Sequence, residues 1–339
     1  GGRTRRAAKM VILNVDHPDL FEFLHIKLDL EQLNNFNISV GITNEFIHAV
    51  KNSKPWTFKF HGRTYRTYEM KRSSDKQSDT IRVIALNEDD AVGRAFNHYR
   101  VTQDDVFSDV HEVEIKAASI WETIITNSWK SGDPGIYNID LANNYTNVSY
   151  FERLDSPNPC GEIPLPPYGN CCLGHVNLSN MYNADKHDVD WKRLAKTIRI
   201  GIRFLDNVLT ANHYPVAECK TLGERSRRIG LGVTGLHYLL LKLGYRYGDE
   251  KCLEFLDRLF ATFRNEAYLA SVELAKEKGA FPAFDAEKYS QEEFFLQLPS
   301  RLQEAIKRHG IRNAVMLTIA PCGTNSMVLG VSSGVEPIF

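Results

Sequence analysis
Several features that would place a protein at once are missing from this 339-residue sequence. Cysteine is sparse. Cys160, Cys171, Cys172, Cys219, Cys252 and Cys322 are too thinly spread for the disulfide framework of a small secreted domain. No CxxC or Cys/His pair has zinc spacing, so the segment is expected to bind no metal itself. No apolar run approaches the roughly 20 residues that span a bilayer. No signal-peptide pattern opens the chain. Free thiols in a reducing, cytoplasmic compartment follow as the expectation, and the Asn-x-Ser/Thr triplets at Asn144, Asn147 and Asn177 then carry no glycans. Charge of one sign is missing too. A formal net charge of −1 gives no reason to expect nucleic acid or a membrane surface as partner. The basic opening GGRTRR is too short to change that. Internal repeats and low-complexity tracts are absent.

What is present is an ordinary globular mixture, 43% hydrophobic and 24% charged, long enough to bury a core without staples. MVILNV (10–15) and FNISV (36–40) read as short buried strands. Between them DHPDLFEFLHIKLDL reads as a helix, with Asp16 or Asp19 near its start. Residues 52–80 are polar without a clean period, and KRSSDKQSD reads as a loop. Residues 111–130 have a helical pattern that stops before the breaker SGDPG, and GIYNI then reads as a strand. Residues 150–180 hold Pro157, Pro159, Pro164, Pro166 and Pro167, which excludes a helix and predicts a long loop held between strands. From about 189 the pattern is helical, with Leu194, Ile198, Ile202, Leu205 and Leu209 on one face. A second helix over 249–278 is expected to bury Leu253, Leu256, Phe260, Phe263, Ala267, Ala270 and Leu274, with Gly279 closing it. VMLTIA reads as a strand running into a Gly/Ser/Thr loop. Strands and helices alternate, so the class is α/β. Both ends of the chain read as cuts through ordered structure.

GLGVTG at 230–235 matches the GxGxxG of dinucleotide-binding loops. That fingerprint needs an apolar strand before it, and ERSRRI stands there instead. The glycines read better as close packing at a buried helix start, and a nicotinamide oxidoreductase is set aside.

The chemistry concentrates in SPNPCGEIPLPPYGNCCLGHVNL, residues 156–178. Asn158, Cys160 and Glu162 alternate in NPCGE, so an extended segment points an amide, a thiol and a carboxylate to one face. A buried cysteine is often only a small hydrophobe. A carboxylate two residues away weakens that reading, because carboxylates are rarely buried without a partner or a task.

This stretch resembles the finger loop of ribonucleotide reductases, above all the adenosylcobalamin-dependent (class II) branch. GGRTRRAAKMVILNVDHPDLFEF, LNNFNISVGIT, GDPGIYNID, RFLDNVL, RRIGLGVTGLHYLLLKLG, SVELAKEKGAFP and RNAVMLTIAPCGTNSMVLGVSSGVEPIF follow in that family's order. The resemblance spans the chain and is weakest over roughly 52–110. It implies that residues 1–339 are part of one catalytic domain, incomplete at both ends. The implied fold is a ten-stranded α/β barrel with a central finger loop at about 156–178.

The resemblance also implies roles. Cys160 becomes a thiyl radical that takes the C3′ hydrogen of a ribonucleotide. Glu162 is the general base on the 3′-hydroxyl, a task that burial favours by raising carboxylate basicity. Asn158 holds the substrate hydroxyls and Glu162. Cys171 is one of two thiols that supply reducing electrons, restored by a dithiol or a thioredoxin-like reductant; its partner lies upstream of this chain. Cys172 is a departure from the family pattern and reads as a bystander. Cys322, Gly323, Thr324, Asn325 and Ser326 form the turn for the substrate's phosphates, with Cys322 where the family usually has threonine. Arg3, Thr4, Arg5 and Arg6 belong to the loop that answers a deoxynucleoside triphosphate effector. Adenosylcobalamin is the implied radical source, and a homodimer is compatible. The rival readings are a class I large subunit served by a radical-generating partner subunit, and a fragment inactive alone.

Overall fold
The computed structural model describes residues 7–28, 33, 35–74, 77–98 and 106–338. The chain divides into two compact units, residues 1–141 and 142–339.

The first unit opens with strand β1 (Lys9–Asn14), helix α1 (Leu20–His25) with a 3-10 turn over Ile26–Leu28, β2 (Phe36–Ile42) and helix α2 (Asn44–Lys51). The hydroxyl of Thr43 accepts the Phe46 N–H and caps α2. Next come β3 (Phe58–Phe60), β4 (Arg63–Ser74), β5 (Gln77–Ala85), helix α3 (Glu88–His98) and β6 (Val106–Val113). Helix α4 (Ala117–Ser131), β7 (Gly135–Asn138) and helix α5 (Ile139–Asn144) follow. β1, β2 and β7 form a parallel sheet in that order, and β4 pairs antiparallel with β3, β5 and β6.

Two expectations fail here. The polar stretch read as a loop is the β4–β5 hairpin, and residues 111–113 are strand, so the helix begins at Ala117. The reason is that β4 serves two cores. Tyr65 packs with Phe46 and Phe58, while Tyr68 and Met70 pack with Ile81, Val83, Ala91 and Ala95. Thr67 and Tyr68 are buried in succession, so the two-residue period breaks. Charges complete the disguise, since Glu69 pairs with Arg82 (2.9 Å) and Arg72 with Asp79 (2.7 Å) from directly opposed positions.

In the second unit the proline-rich segment forms a minimal hairpin, β8 (Ser156–Pro157) and β9 (Pro164–Leu165), and then β10 (Cys172–Asn177). A 3-10 turn over Leu178–Met181, a short ladder of β11 (Tyr182–Asn183) and β12 (Asp188–Val189), and helices α6 (Trp191–Ala211) and α7 (Ala217–Ser226) follow. β13 (Ile229–Thr234), α8 (Leu236–Leu243) and α9 (Glu250–Lys278) complete the centre. Helices α10 (Ala286–Tyr289), α11 (Glu293–Leu296), α12 (Ser300–His309) and α13 (Gly323–Leu329) complete the unit.

β10 and β13 pair in parallel, and residues 315–318 lie along the far side of β13. The N–H groups of Ile229 and Leu231 donate to the carbonyls of Val315 (3.0 Å) and Met316 (2.8 Å). VMLTIA is thus an extended edge that shares few ladder bonds rather than a full strand. α6 buries the five expected residues and Asp206 with them. α9 differs in its first half, where Cys252, Phe255 and Leu259 face the core while Leu253 is 55% exposed. The apolar residues there leave two faces open to choice, and packing selects one. From Phe263 on the expected face holds, and the Gly279 N–H bonds the Ala275 carbonyl.

Residues 230–234 of GLGVTG lie within strand β13, buried throughout, and only Gly235 stands at a helix start, as the N-cap of α8. A Cβ on Gly230 would meet the Leu173 and Thr318 side chains at 2.6 and 2.7 Å, and one on Gly232 the Thr318 carbonyl oxygen at 2.5 Å. The glycines let the neighbouring backbones close on each other, and the dinucleotide reading is left without its loop. Among the described residues the strands do not close a barrel.

Candidate active site
NPCGE is a turn rather than an extended segment. The Asn158 N–H donates to the Ile163 carbonyl (3.1 Å), and the Gly161 N–H to the Asn158 carbonyl (2.9 Å). Gly161 takes φ +86°, a left-handed conformation that glycine adopts without strain. Side-chain alternation therefore does not operate, yet the amide and the carboxylate still meet. Asn158 Nδ2 donates to Glu162 Oε2 at 2.7 Å, and Asn158 Oδ1 accepts the Ile163 N–H at 3.0 Å. The amide orientation is settled by these two bonds together.

Cys160 sits at the tip of the turn and is exposed, and Glu162 is half-buried. Desolvation, and then the Glu162 charge, push the Cys160 thiol above its ordinary range. A thiol at this position stays protonated at neutral pH, so an S–H bond is available for hydrogen-atom chemistry.

The turn is anchored at three points that sequence reading missed. Asn143 Nδ2 donates to the Leu154 carbonyl and Asn143 Oδ1 accepts the Leu154 N–H, each at 2.9 Å. Thr318 Oγ1 donates to the Glu162 carbonyl at 3.3 Å. Before the hairpin, Glu152 forms a buried ion pair with Arg228 at 2.6 Å. Arg228 and Thr318 fall inside family-like blocks without a role assigned to them there, and Asn143 and Glu152 lie outside those blocks; only the tertiary fold makes Asn143 a clamp.

Cys171 precedes β10, half-buried, with Sγ 3.1 Å from where a Cβ on Gly230 would stand. Its thiol is pushed up to about 12, chiefly by desolvation, with Arg228 opposing and Cys172 and Glu162 adding to the rise. The Glu162 charge thus raises both Cys160 and Cys171.

The turn at 321–326 lies along the same extended segment as Thr318. Cys322 follows Thr318 by four positions, on the order of 13 Å if the chain is extended. Cys322 is buried and its N–H donates to Ser333 Oγ (2.9 Å). Ser326 is buried as well, its hydroxyl spent on the Gly323 carbonyl at 2.7 Å. Gly323, Thr324 and Asn325 are exposed at the start of α13. The structure therefore separates the five candidates into three that face outward and two that shape the turn. Arg3, Thr4, Arg5 and Arg6 lie outside the described residues. No group of three or more His, Cys, Asp or Glu side chains among the described residues is arranged to hold a metal ion. No helix among them is long and apolar enough to cross a membrane.

This α/β chain gathers a thiol, a carboxylate and an amide on one hydrogen-bonded turn. The family model described as "Ribonucleotide reductase, barrel domain" matches residues 1–339, and the chain belongs to that family. A vitamin B12-dependent ribonucleoside-diphosphate reductase of Thermoplasma acidophilum is 36% identical over 340 residues, covering all of this chain and 36% of that protein. A protein of the same description from Mycobacterium tuberculosis is 33% identical over 341 residues, all of this chain and 40% of that protein. The large subunit of a Plasmodium falciparum ribonucleoside-diphosphate reductase is 26% identical over 360 residues, 99% of this chain and 41% of that protein. The chain thus spans about two fifths of the length of these relatives.

Proposed function
We propose that this chain is the catalytic segment of a ribonucleotide reductase that makes deoxyribonucleotides by radical chemistry, with residues 1–339 acting as part of one catalytic domain. The observation that carries the reading is the Asn158–Glu162 bond across the turn, with the Cys160 thiol at its tip. The names of the relatives favour a ribonucleoside diphosphate as substrate.

In this reading Cys160, as a thiyl radical, takes the C3′ hydrogen and becomes a thiol. Glu162 removes the 3′-hydroxyl proton. Asn158 holds the carboxylate in reach through Nδ2, its other polar atom being tied to the backbone. Cys171 gives electrons for loss of the 2′-hydroxyl and is restored by a dithiol or thioredoxin-like reductant. The N–H groups and side chains of Gly323, Thr324 and Asn325 receive the phosphates, while Cys322 and Ser326 shape the turn. Arg3, Thr4, Arg5 and Arg6 serve the deoxynucleoside triphosphate effector, and homodimer formation is compatible.

Adenosylcobalamin supplies the radical in the class II reading, and higher identity to the B12-dependent relatives than to the Plasmodium subunit favours it. The exposed Cys160 thiol is open to a radical-generating group from outside the turn. No described residue is assigned to hold the corrin, and no step here is routed through it. The test is ribonucleotide reduction by this segment within the intact reductase, with a dithiol, with and without adenosylcobalamin. Activity needing both adenosylcobalamin and Cys160 is expected. Activity that needs Cys160 and a metal-radical subunit instead selects class I, and activity that survives Cys160→Ala overturns the mechanism.

A further inference from the structure
The ion pair Arg228–Glu152 is almost wholly buried, with side-chain exposures of 6% and 2%, and the mechanism above makes no use of it. Burying two charges is costly, and a well-packed apolar pair is often at least as stable. The location supplies a reason. Arg228 directly precedes β13, whose first residue Ile229 stands opposite Cys172 in the parallel ladder. One step back, the same register sets Arg228 beside Cys171. Directly opposed residues of a parallel pair project to one side, and Cys171 Sγ does lie on the side of Gly230, two residues after Arg228. Glu152 fixes the guanidinium through Oε2 at 2.6 Å.

We propose that Arg228 is a positioning residue for Cys171, a buried cation held by Glu152 where it stabilises negative charge on the Cys171 sulfur. The inference rests on the reading of Cys171 as a redox thiol. In the step concerned, Cys171 and a second cysteine are joined as a disulfide. A thiolate of the dithiol reductant attacks the second sulfur and forms a new S–S bond to it. The old S–S bond breaks, and its electron pair leaves on Cys171, which takes up a proton from solvent. The reductant's other thiol, losing its proton, then closes the reductant's own disulfide and releases the second cysteine as a thiolate, which is protonated in turn. Two electrons pass from the dithiol to the cysteine pair. A leaving sulfur departs faster when its thiolate is stabilised. The charged and titratable groups acting on Cys171 are Arg228 from the β13 side, Glu162 from the finger turn and Cys172 in its own chain. Arg228 alone among them favours the thiolate.

Alkylation of Cys171 by iodoacetamide at pH 8 tests this, in the full chain with Cys172→Ser, read by peptide mass. Arg228→Met is expected to slow it about tenfold, the change in thiolate that one pKa unit makes. Arg228→Lys is expected to keep most of the rate. The double variant Arg228→Met/Glu152→Gln leaves no unpaired buried carboxylate and is expected to show the same fall as Arg228→Met. An unchanged rate, a faster one from a loosened loop, or recovery in the double variant overturns the proposal. Failure of the underlying reading looks different: Cys171→Ser would then leave dithiol-driven turnover of the intact reductase unchanged, whatever the alkylation rates.

Discussion

Two carboxylates of the second unit live in opposite surroundings. Asp206, fully buried on α6, is saturated. Arg227 Nε donates to its Oδ1 at 2.8 Å and Asn313 Nδ2 at 3.2 Å, Lys278 Nζ reaches Oδ2 at 3.3 Å, and Arg312 Nε lies 3.3 Å from Oδ1. Glu162 is half-buried, and its side chain accepts a hydrogen bond from a neutral amide, Asn158. A carboxylate surrounded by three cations has its acceptor sites occupied and cross-links α6, α7 and α9. A carboxylate steadied by one amide keeps lone pairs free for another partner. Burial depth alone would single out Asp206; the count of satisfied valences singles out Glu162.

The largest effect that would expose this difference comes from the tip of the turn. Cys160→Ala is expected to remove ribonucleotide reduction in the intact reductase while leaving the urea unfolding midpoint of the chain unchanged. Next, Asp206→Ala strands three buried or half-buried cations and is expected to cost about 3–5 kcal/mol in urea unfolding. A cost under about 1 kcal/mol would mean the hub is hydrated and the contrast false. Glu162→Gln keeps shape and the hydrogen bond to Asn158 but removes the base. Its kcat is expected to fall about a hundredfold or more, with stability within about 0.5 kcal/mol of the parent. If Glu162→Gln lost stability like Asp206→Ala and kept its kcat, the two carboxylates would have exchanged roles.

A pH series sharpens the comparison further. Cys171 is raised from an ordinary 9.0 to about 12. Between those values the unfolded chain loses this proton and the folded one keeps it, so stability falls as pH rises through that window. Cys171→Ser is expected to flatten that part of the fall, read as the unfolding midpoint from pH 8 to 11. The smallest effect belongs to the first unit. Arg72→Ala breaks the partly exposed pair with Asp79 and is expected to cost less than about 1 kcal/mol.

Legibility in the sequence followed how many constraints acted on each stretch. NPCGE was readable as a constellation, yet the reason offered, alternation along an extended chain, was replaced by a turn closed through Gly161 and Asn158. α6 was readable because one face is apolar from end to end. α9 was readable only from Phe263 on, since its first turns offer two apolar choices. The β4–β5 hairpin was unreadable because its residues divide between two cores and its charges pair across strands.

By itself the sequence determined the α/β class, the family, and the residue types on the finger turn, because those depend on local order and on motifs with fixed spacing. Only the tertiary structure decided that β13 needs glycines to let Thr318 approach, and that Asn143 and Thr318 anchor the turn. Those relations join residues from 11 to 156 positions apart. No local periodicity encodes such a separation; it exists only once the strands are in register.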